Sequence, residues 1–242
     1  MLKAFFLAVS FLTRIPVPAL GRIDAPDFAR SALFYPLVGF LIGVILCVPY
    51  ALFSHASPLL LAAIITVLWA ALTGGLHLDG LADSADAWLG GFGDMEKTHR
   101  ILKDPLVGAA GVIAISSVML LKVTAIAALL EQTAWDSVLF APLIGRTLIL
   151  LLFLTTPYVR KQGLASAVTD YLAPIPTAVL VGVCILLGLW VAPVSLMLTL
   201  LGFWLLRRLM LQRLQGCTGD TAGASVEIGE MLWLVGCGLF SV

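Results

Sequence analysis

Charge is what this sequence has least of. Only 12% of its 242 residues are Asp, Glu, Lys or Arg, about half the share in an ordinary soluble domain. The hydrophobic share is 61% and the mean hydropathy is +1.08. So few polar side chains cannot cover a water-facing globule, which excludes a soluble domain. An excess of either sign is also missing, because 14 Lys and Arg balance 14 Asp and Glu. That balance excludes nucleic acid as a partner, since binding it needs a net basic face. The four cysteines, Cys47, Cys184, Cys217 and Cys237, lie far apart in apolar stretches without a CxxC pair. They read as small buried hydrophobes, not as a disulfide or zinc framework. No Ser-His-Asp, P-loop or GxGxxG pattern occurs, so hydrolase-triad, ATPase and Rossmann readings gain no support.

What is present in quantity is the apolar run. A bilayer crossing takes about 20 mostly apolar residues. Stretches at 33–53, 59–76, 108–130, 138–157, 176–192, 194–212 and 222–242 meet that requirement. They predict an all-α polytopic transmembrane bundle of about six to seven spans, forming a single integral membrane domain over 1–242. At the N-terminus, Lys3 precedes an apolar run, but Arg14, Pro16 and Pro18 follow without a small-x-small cleavage site. Residues 1–14 therefore read as a short amphipathic helix, not a removed leader, within an interfacial segment 1–32.

The basic residues choose an orientation. Lys3, Arg14, Arg22 and Arg30 precede the first span, and Lys97, Arg100 and Lys103 follow the second. Arg160 and Lys161 follow the fourth, while Arg207, Arg208 and Arg213 close the sixth. The alternate connections, 54–58, 131–137 and 193, hold no Lys or Arg. The positive-inside rule then places the N-terminus and every charged loop in the cytoplasm, for a multi-pass protein of the inner membrane bathed in lipid. Polar chemistry gathered on one side favours an enzyme or binding protein. An alternating-access carrier would scatter polar groups near the bilayer midplane.

The strongest chemical signal lies in the loop region 77–107. Asp79, Asp83 and Asp86 follow an apolar run at i, i+4 and i+7, which is one stripe of a helix. Like charges at that spacing repel, and no basic residue interleaves them. Either they form a solvated helix start that complements the macrodipole, or they hold a cation. The first reading covers Asp79 and Asp83 but not Asp86, two turns in. Oxygen-only ligands suit Mg²⁺, with Mn²⁺ as the alternative, rather than zinc. His77 beside them is either a carboxylate-orienting residue or a satisfied interfacial histidine.

A second acidic element spans 213–230. Asp220 and Glu227 are again i and i+7, among Gly216, Gly219 and Gly223. The glycines alone fit a small-xxx-small packing contact, which leaves the acids unexplained. Two facing acid stripes can hold two metals, or one metal and a general base. Glu230 is off the stripe and reads as interfacial. Lys103 and Arg100, in the loop before Gly108, are candidates for phosphate contacts, although a basic loop also serves topology. Arg146 sits inside an apolar span, where it demands an acidic partner or an anionic ligand. Together these residues describe metal-assisted chemistry on a pyrophosphate or phosphodiester.

The motifs resemble the cobalamin synthase family over almost the whole chain. FLTRIPVP (11–18), YPLVGFLIG (35–43), GGLHLDGLADSADAW (74–88), KDPLVGAAG (103–111), GR (145–146) and TGDTAGASVE (218–227) stand in that family's order and spacing. The departures, Ser84, Ala87, Ala110 and Cys217, spare the acids. The resemblance implies a membrane transferase of late vitamin B12 biosynthesis. Its substrates would be a nucleotide-activated corrinoid, adenosylcobinamide-GDP, and α-ribazole or its 5′-phosphate, with GMP as leaving group. It also implies Mg²⁺ on Asp79, Asp83, Asp86, Asp104, Asp220 and Glu227. Asp83, Asp86, Asp220, Lys103 and Arg146 are then the expected catalytic residues, with Asp220 as general base. No cofactor besides the metal is expected, and the pattern is compatible with a homo-oligomer. Two alternatives stand beside this reading. One is a CDP-alcohol phosphotransferase, whose acid motif has a wider spacing and an arginine that this chain lacks. The other is a cation-coupled transporter with the aspartates as its ion path.

Overall fold

A computed structural model describes residues 1–160 and 164–240 of the chain. The regular elements among them are helices, joined by one isolated bridge between Tyr158 and Cys217. The amphipathic start forms α1 (Leu2–Leu12), which turns Ala4, Leu7, Ala8, Val9 and Leu12 inward. After it comes α2 (Ala25–Ala32), where Asp27 accepts from the Asp24 N–H at 3.1 Å as in a capping box. Lys3 pairs with the same Asp27, so the N-terminal segment is two short helices tied to each other.

Next in the chain are α3 (Tyr35–Phe53), α4 (Pro58–Thr73), α5 (Leu76–Gly91), α6 (Met95–Ile101), α7 (Ala109–Glu131) and α8 (Asp136–Thr155). They are followed by α9 (Leu164–Tyr171), α10 (Pro174–Val191), α11 (Pro193–Leu214) and α12 (Gly219–Phe240). Six of these, α3, α7, α8, α10, α11 and α12, are long and apolar enough to cross a membrane. Pro174 and Pro193 open α10 and α11, a position where the missing N–H has no helical partner to lose. The remaining expected span, 59–76, behaves differently. Helix α4 has 16 residues, a rise of about 24 Å, and α5 departs from it at 90°. The expected last span reaches 241–242, and those residues and Lys161 lie outside the described ones.

The 90° turn is made by Gly74 (φ +64°) and Gly75 (φ +70°). That left-handed conformation costs other residues roughly 1–2 kcal/mol each. A Cβ on Gly74 would also run into the Arg14 side chain, and Arg14 N–H donates to the Leu72 carbonyl at 2.8 Å. The turn aims α5 across the bundle instead of along it.

Burial is concentrated in two helices. Within their apolar stretches, 67% of α8 and 61% of α12 is buried, against 22% of α10. Trp233 of α12 fills the centre, and its indole N–H donates to the Ser137 carbonyl of α8 at 2.9 Å. The outer helices present Ile175, Val179, Val183, Leu186 and similar side chains outward, a surface suited to lipid tails. Cys184, Cys217 and Cys237 are buried and Cys47 is half-buried, as small hydrophobes would be.

Candidate active site

Helices α5 and α12 cross at backbone contact. A Cβ on Gly80 would lie 2.6 Å from the Asp220 carbonyl, and one on Gly223 would lie 3.3 Å from His77 backbone atoms. The start of α12 is set by two threonines that cap each other. Thr218 N–H donates to Thr221 Oγ1 at 2.9 Å, and Thr221 N–H donates back to Thr218 Oγ1 at 3.3 Å. Asp220 is thereby held in the first turn of α12, beside the stripe that Asp79 and Asp83 form on α5. The carboxylates feel one another. Burial, and then the charges of Asp79, Asp220 and Asp86, push the Asp83 carboxyl up to about 6.

Among the described residues, one cation reaches this cluster. The segment after α8 pairs with the segment before α12, Cys217 N–H donating to the Pro157 carbonyl at 2.8 Å and Val159 N–H to the Cys217 carbonyl at 3.0 Å. This bridge brings Arg160 Nη2 within 3.1 Å of Asp220 Oδ2 as an ion pair, and the same nitrogen donates to the Leu102 carbonyl at 3.0 Å. Sequence reasoning used Arg160 only to orient the chain. A single bridge has no periodicity, so no pattern announces that 157–159 meets 217. Beneath the cluster opens a cavity of about 250 Å³, with Asp79, Arg160 and Asp220 at its polar side and Phe11, Tyr35, Ile149, Phe153 and Val168 among its apolar walls.

Other expected site residues keep different company. Both oxygens of Asp86 are taken up by backbone N–H groups, Gly108 at 2.7 Å and Gly111 at 3.0 Å, so Asp86 caps α7. Asp104 is exposed and accepts from the Leu106 N–H at 3.1 Å in a turn, and Lys103 beside it is exposed. Glu227 and Arg146 belong to an internal network. Lys122 Nζ donates to Glu227 and to Glu230, each at 2.7 Å, and Arg146 pairs with Glu230. Arg146 and Glu230 have 0% exposure, so Arg146 meets an acid of its own helix bundle, and no phosphate reaches it in this conformation. Arg146 also approaches His77 Nδ1 at 3.4 Å, and Lys122 lies 4.2 Å over the Trp69 ring. Glu230 was expected at the interface; it is instead a hub of this network, and Lys122, outside every motif, is the other.

Among the described residues, no three His, Cys, Asp or Glu side chains gather tightly enough to enclose a metal ion by themselves. The donor set on the rim is nevertheless all carboxylate oxygen, the chemistry that hard divalent cations prefer.

Fold and site together define a polytopic helical membrane protein with a carboxylate-rimmed cavity at the junction of α5, α8 and α12. The chain belongs to the cobalamin-5-phosphate synthase family, whose sequence model matches residues 4–238. An adenosylcobinamide-GDP ribazoletransferase of Pseudomonas fluorescens is 49% identical over 244 residues, covering 98% of this chain and 99% of its own. One of Pseudomonas syringae pv. syringae is 47% identical, covering 96% and 97%. One of Acinetobacter baumannii is 45% identical, covering 93% of each. No solved structure matches the chain. Membership makes the protein a transferase of cobalamin biosynthesis.

Proposed function

We propose that this enzyme joins adenosylcobinamide-GDP to α-ribazole, or to its 5′-phosphate, and releases GMP at the cytoplasmic face of the inner membrane. The relatives' names supply the two substrates. The observation that carries the reading is a charge imbalance: Asp79 and Asp220 line the cavity, Asp83 lies close enough to feel both, and among the described residues Arg160 is the cation that meets them. A pyrophosphate cannot approach such a rim unless a cation comes with it. Mg²⁺ fits, since it keeps several waters, uses one or two carboxylates and bridges to substrate phosphates instead of needing a protein cage. Asp79 and Asp83, one turn apart on α5, would hold it. When bound, the ion neutralises the pyrophosphate and the charge that builds on departing GMP.

The chain's own groups do the rest. Arg160 and, from the exposed segment after α6, Lys103 share the phosphate charge. Asp220, facing the cavity, takes the proton from a ribose hydroxyl. That oxygen attacks the phosphorus attached to the corrinoid side. A new P–O bond forms as the P–O bond to GMP breaks, and GMP leaves with the bridging oxygen. Asp86 supports the rim by holding the first turn of α7 in place, and the network of Lys122, Glu227, Glu230 and Arg146 locks α7, α8 and α12 behind it. The cytoplasmic orientation is supported by the basic loops on the same side as the rim, Arg100, Lys103 and Arg160 among them.

The test is direct. Purified protein in detergent or liposomes, given Mg²⁺ and both substrates, should release GMP only when α-ribazole or its phosphate is present. GMP release independent of the ribazole, or CMP release from a CDP-alcohol in its place, overturns the assignment.

A further inference from the structure

The two reactants differ greatly in size, and the cavity has room for one. At about 250 Å³ it lies below the range of roughly 300–1,000 Å³ that holds drug-sized ligands. A corrinoid macrocycle is far larger than such ligands. We infer that this cavity seats the ribazole, with the planar benzimidazole against the apolar wall and the ribose hydroxyls at the acid rim, while the corrinoid stays outside. The inference rests on the activity proposed above and deepens it.

Three observations converge on that placement. The wall is aromatic and shared between distant parts of the chain, since Phe11 of α1 and Tyr35 of α3 stack at 5.9 Å between ring centroids and 22° between planes, and both line the cavity. Phe153 and Tyr158 add an edge-to-face pair at 6.1 Å and 89°. A flat, uncharged heteroaromatic ring is the ligand class such a lining accepts, because stacking and apolar burial need no specific partner. Second, polarity runs in one direction. Tyr35 and Val168 are 2% exposed, whereas Asp79 is exposed and Arg160 and Asp220 retain 32% and 18% side-chain exposure. A ligand with one apolar end and one hydroxylated end therefore enters base first and leaves its hydroxyls beside Asp220. Third, the wall gives a use to the N-terminal FLTRIPVP stretch, which the acid chemistry does not employ. Phe11 belongs to it, and Arg14 braces the Gly74 turn from which α5 begins.

The experiment uses the full chain in detergent and has two independent readouts. Equilibrium binding of labelled α-ribazole, without corrinoid or Mg²⁺, reports the cavity alone. GMP release with both substrates reports the reaction. Phe11→Ala removes an aromatic wall, and Ala165→Phe fills the cavity from α9. Each should weaken α-ribazole binding and raise its KM by about tenfold or more, while the KM for adenosylcobinamide-GDP stays within twofold. Having two variants guards against one that fails to fold, since a widened and a filled cavity disturb packing in opposite ways. Unchanged ribazole binding in both variants overturns the inference, as does a rise in corrinoid KM equal to that for ribazole. Ribazole binding that responds to the variants in a protein that releases no GMP leaves the seat standing and removes the proposed reaction instead.

Discussion

Two groups of charged side chains lie along the same helix, α12, and are built on opposite principles. At its first turn Asp220 joins Asp79 and Asp83 in a partly exposed cluster where, among the described residues, acids outnumber the one cation, Arg160. About 10 Å further along, Glu227 and Glu230 meet Lys122 and Arg146, two anions against two cations, all nearly or fully buried. The inner group is close to self-sufficient. Its charges cancel, and its carboxylates take their hydrogen bonds from Lys122 and Arg146, although the buried Arg146 Nε is left without a partner. The rim keeps an excess of negative charge among the described residues, and in the proposed reaction the substrate complex brings the cation that balances it. Residue type does not separate the two groups, because α12 contributes acids to both. What separates them is the supply of partners from neighbouring helices.

The largest effect expected from this contrast is on the rim. Asp83→Asn keeps the side chain's size and removes a carboxylate that its neighbours repel. Mg²⁺-dependent GMP release should fall by at least about a thousandfold, near 4 kcal/mol of transition-state stabilisation at 1.36 kcal/mol per decade. Thermal unfolding in detergent should stay unchanged or improve. A variant that keeps its activity ends the role assigned to the rim. The inner group should respond in the opposite way. Lys122→Met leaves two buried carboxylates with one guanidinium, and breaking such a pair costs roughly 3–5 kcal/mol. The readout is loss of folded, monodisperse protein, and adding Glu227→Gln should recover part of it by restoring the balance. Wild-type stability in the single variant would show that the network does not hold the bundle together.

The contrast also explains what the sequence could disclose. The apolar runs were legible because a bilayer imposes a length on each segment separately, and six of the expected spans reappear as helices within a few residues. The aspartate stripe was legible because i and i+4 spacing is a property of one helix. The boundary of the second apolar run was misjudged by three residues, since Gly74 and Gly75 stop α4 at Thr73, where hydropathy continues to Leu76. Partnerships between helices were not legible. Lys122 and Glu230 are 108 residues apart, and which face of each helix turns inward depends on how all of them pack. Glu230 fell outside the i and i+7 stripe because the stripe was drawn on α12 alone, whereas Lys122 of α7 sits between Glu227 and Glu230 and uses both.

A middle-sized effect belongs to Arg160, the cation that chain pairing brings to the rim. Arg160→Ala should lower kcat/KM by roughly ten- to a hundredfold, about 1.4–2.7 kcal/mol, and Arg160→Lys should recover part of the charge but not the placement of Nη2 between Asp220 and the Leu102 carbonyl. If the lysine variant performs as poorly as the alanine one, the bond to Leu102 matters more than the charge.

The smallest effect sharpens the comparison most, because Asp86 stands between the two groups in character. It shares the stripe with Asp79 and Asp83, yet its oxygens are committed to the Gly108 and Gly111 N–H groups at the start of α7. A carboxylate that caps a helix contributes about 0.5–2 kcal/mol, so Asp86→Ala should lower stability by that amount and activity by less than tenfold. Asp86→Asn retains one acceptor oxygen and should lie between the variant and the wild type. The decisive quantity is the Mg²⁺ concentration at half-maximal activity. A helix cap leaves it where it was, since the residues that would hold the ion are untouched. A metal ligand moves it several-fold upward, and that result would return Asp86 to the coordinating set that its spacing predicts.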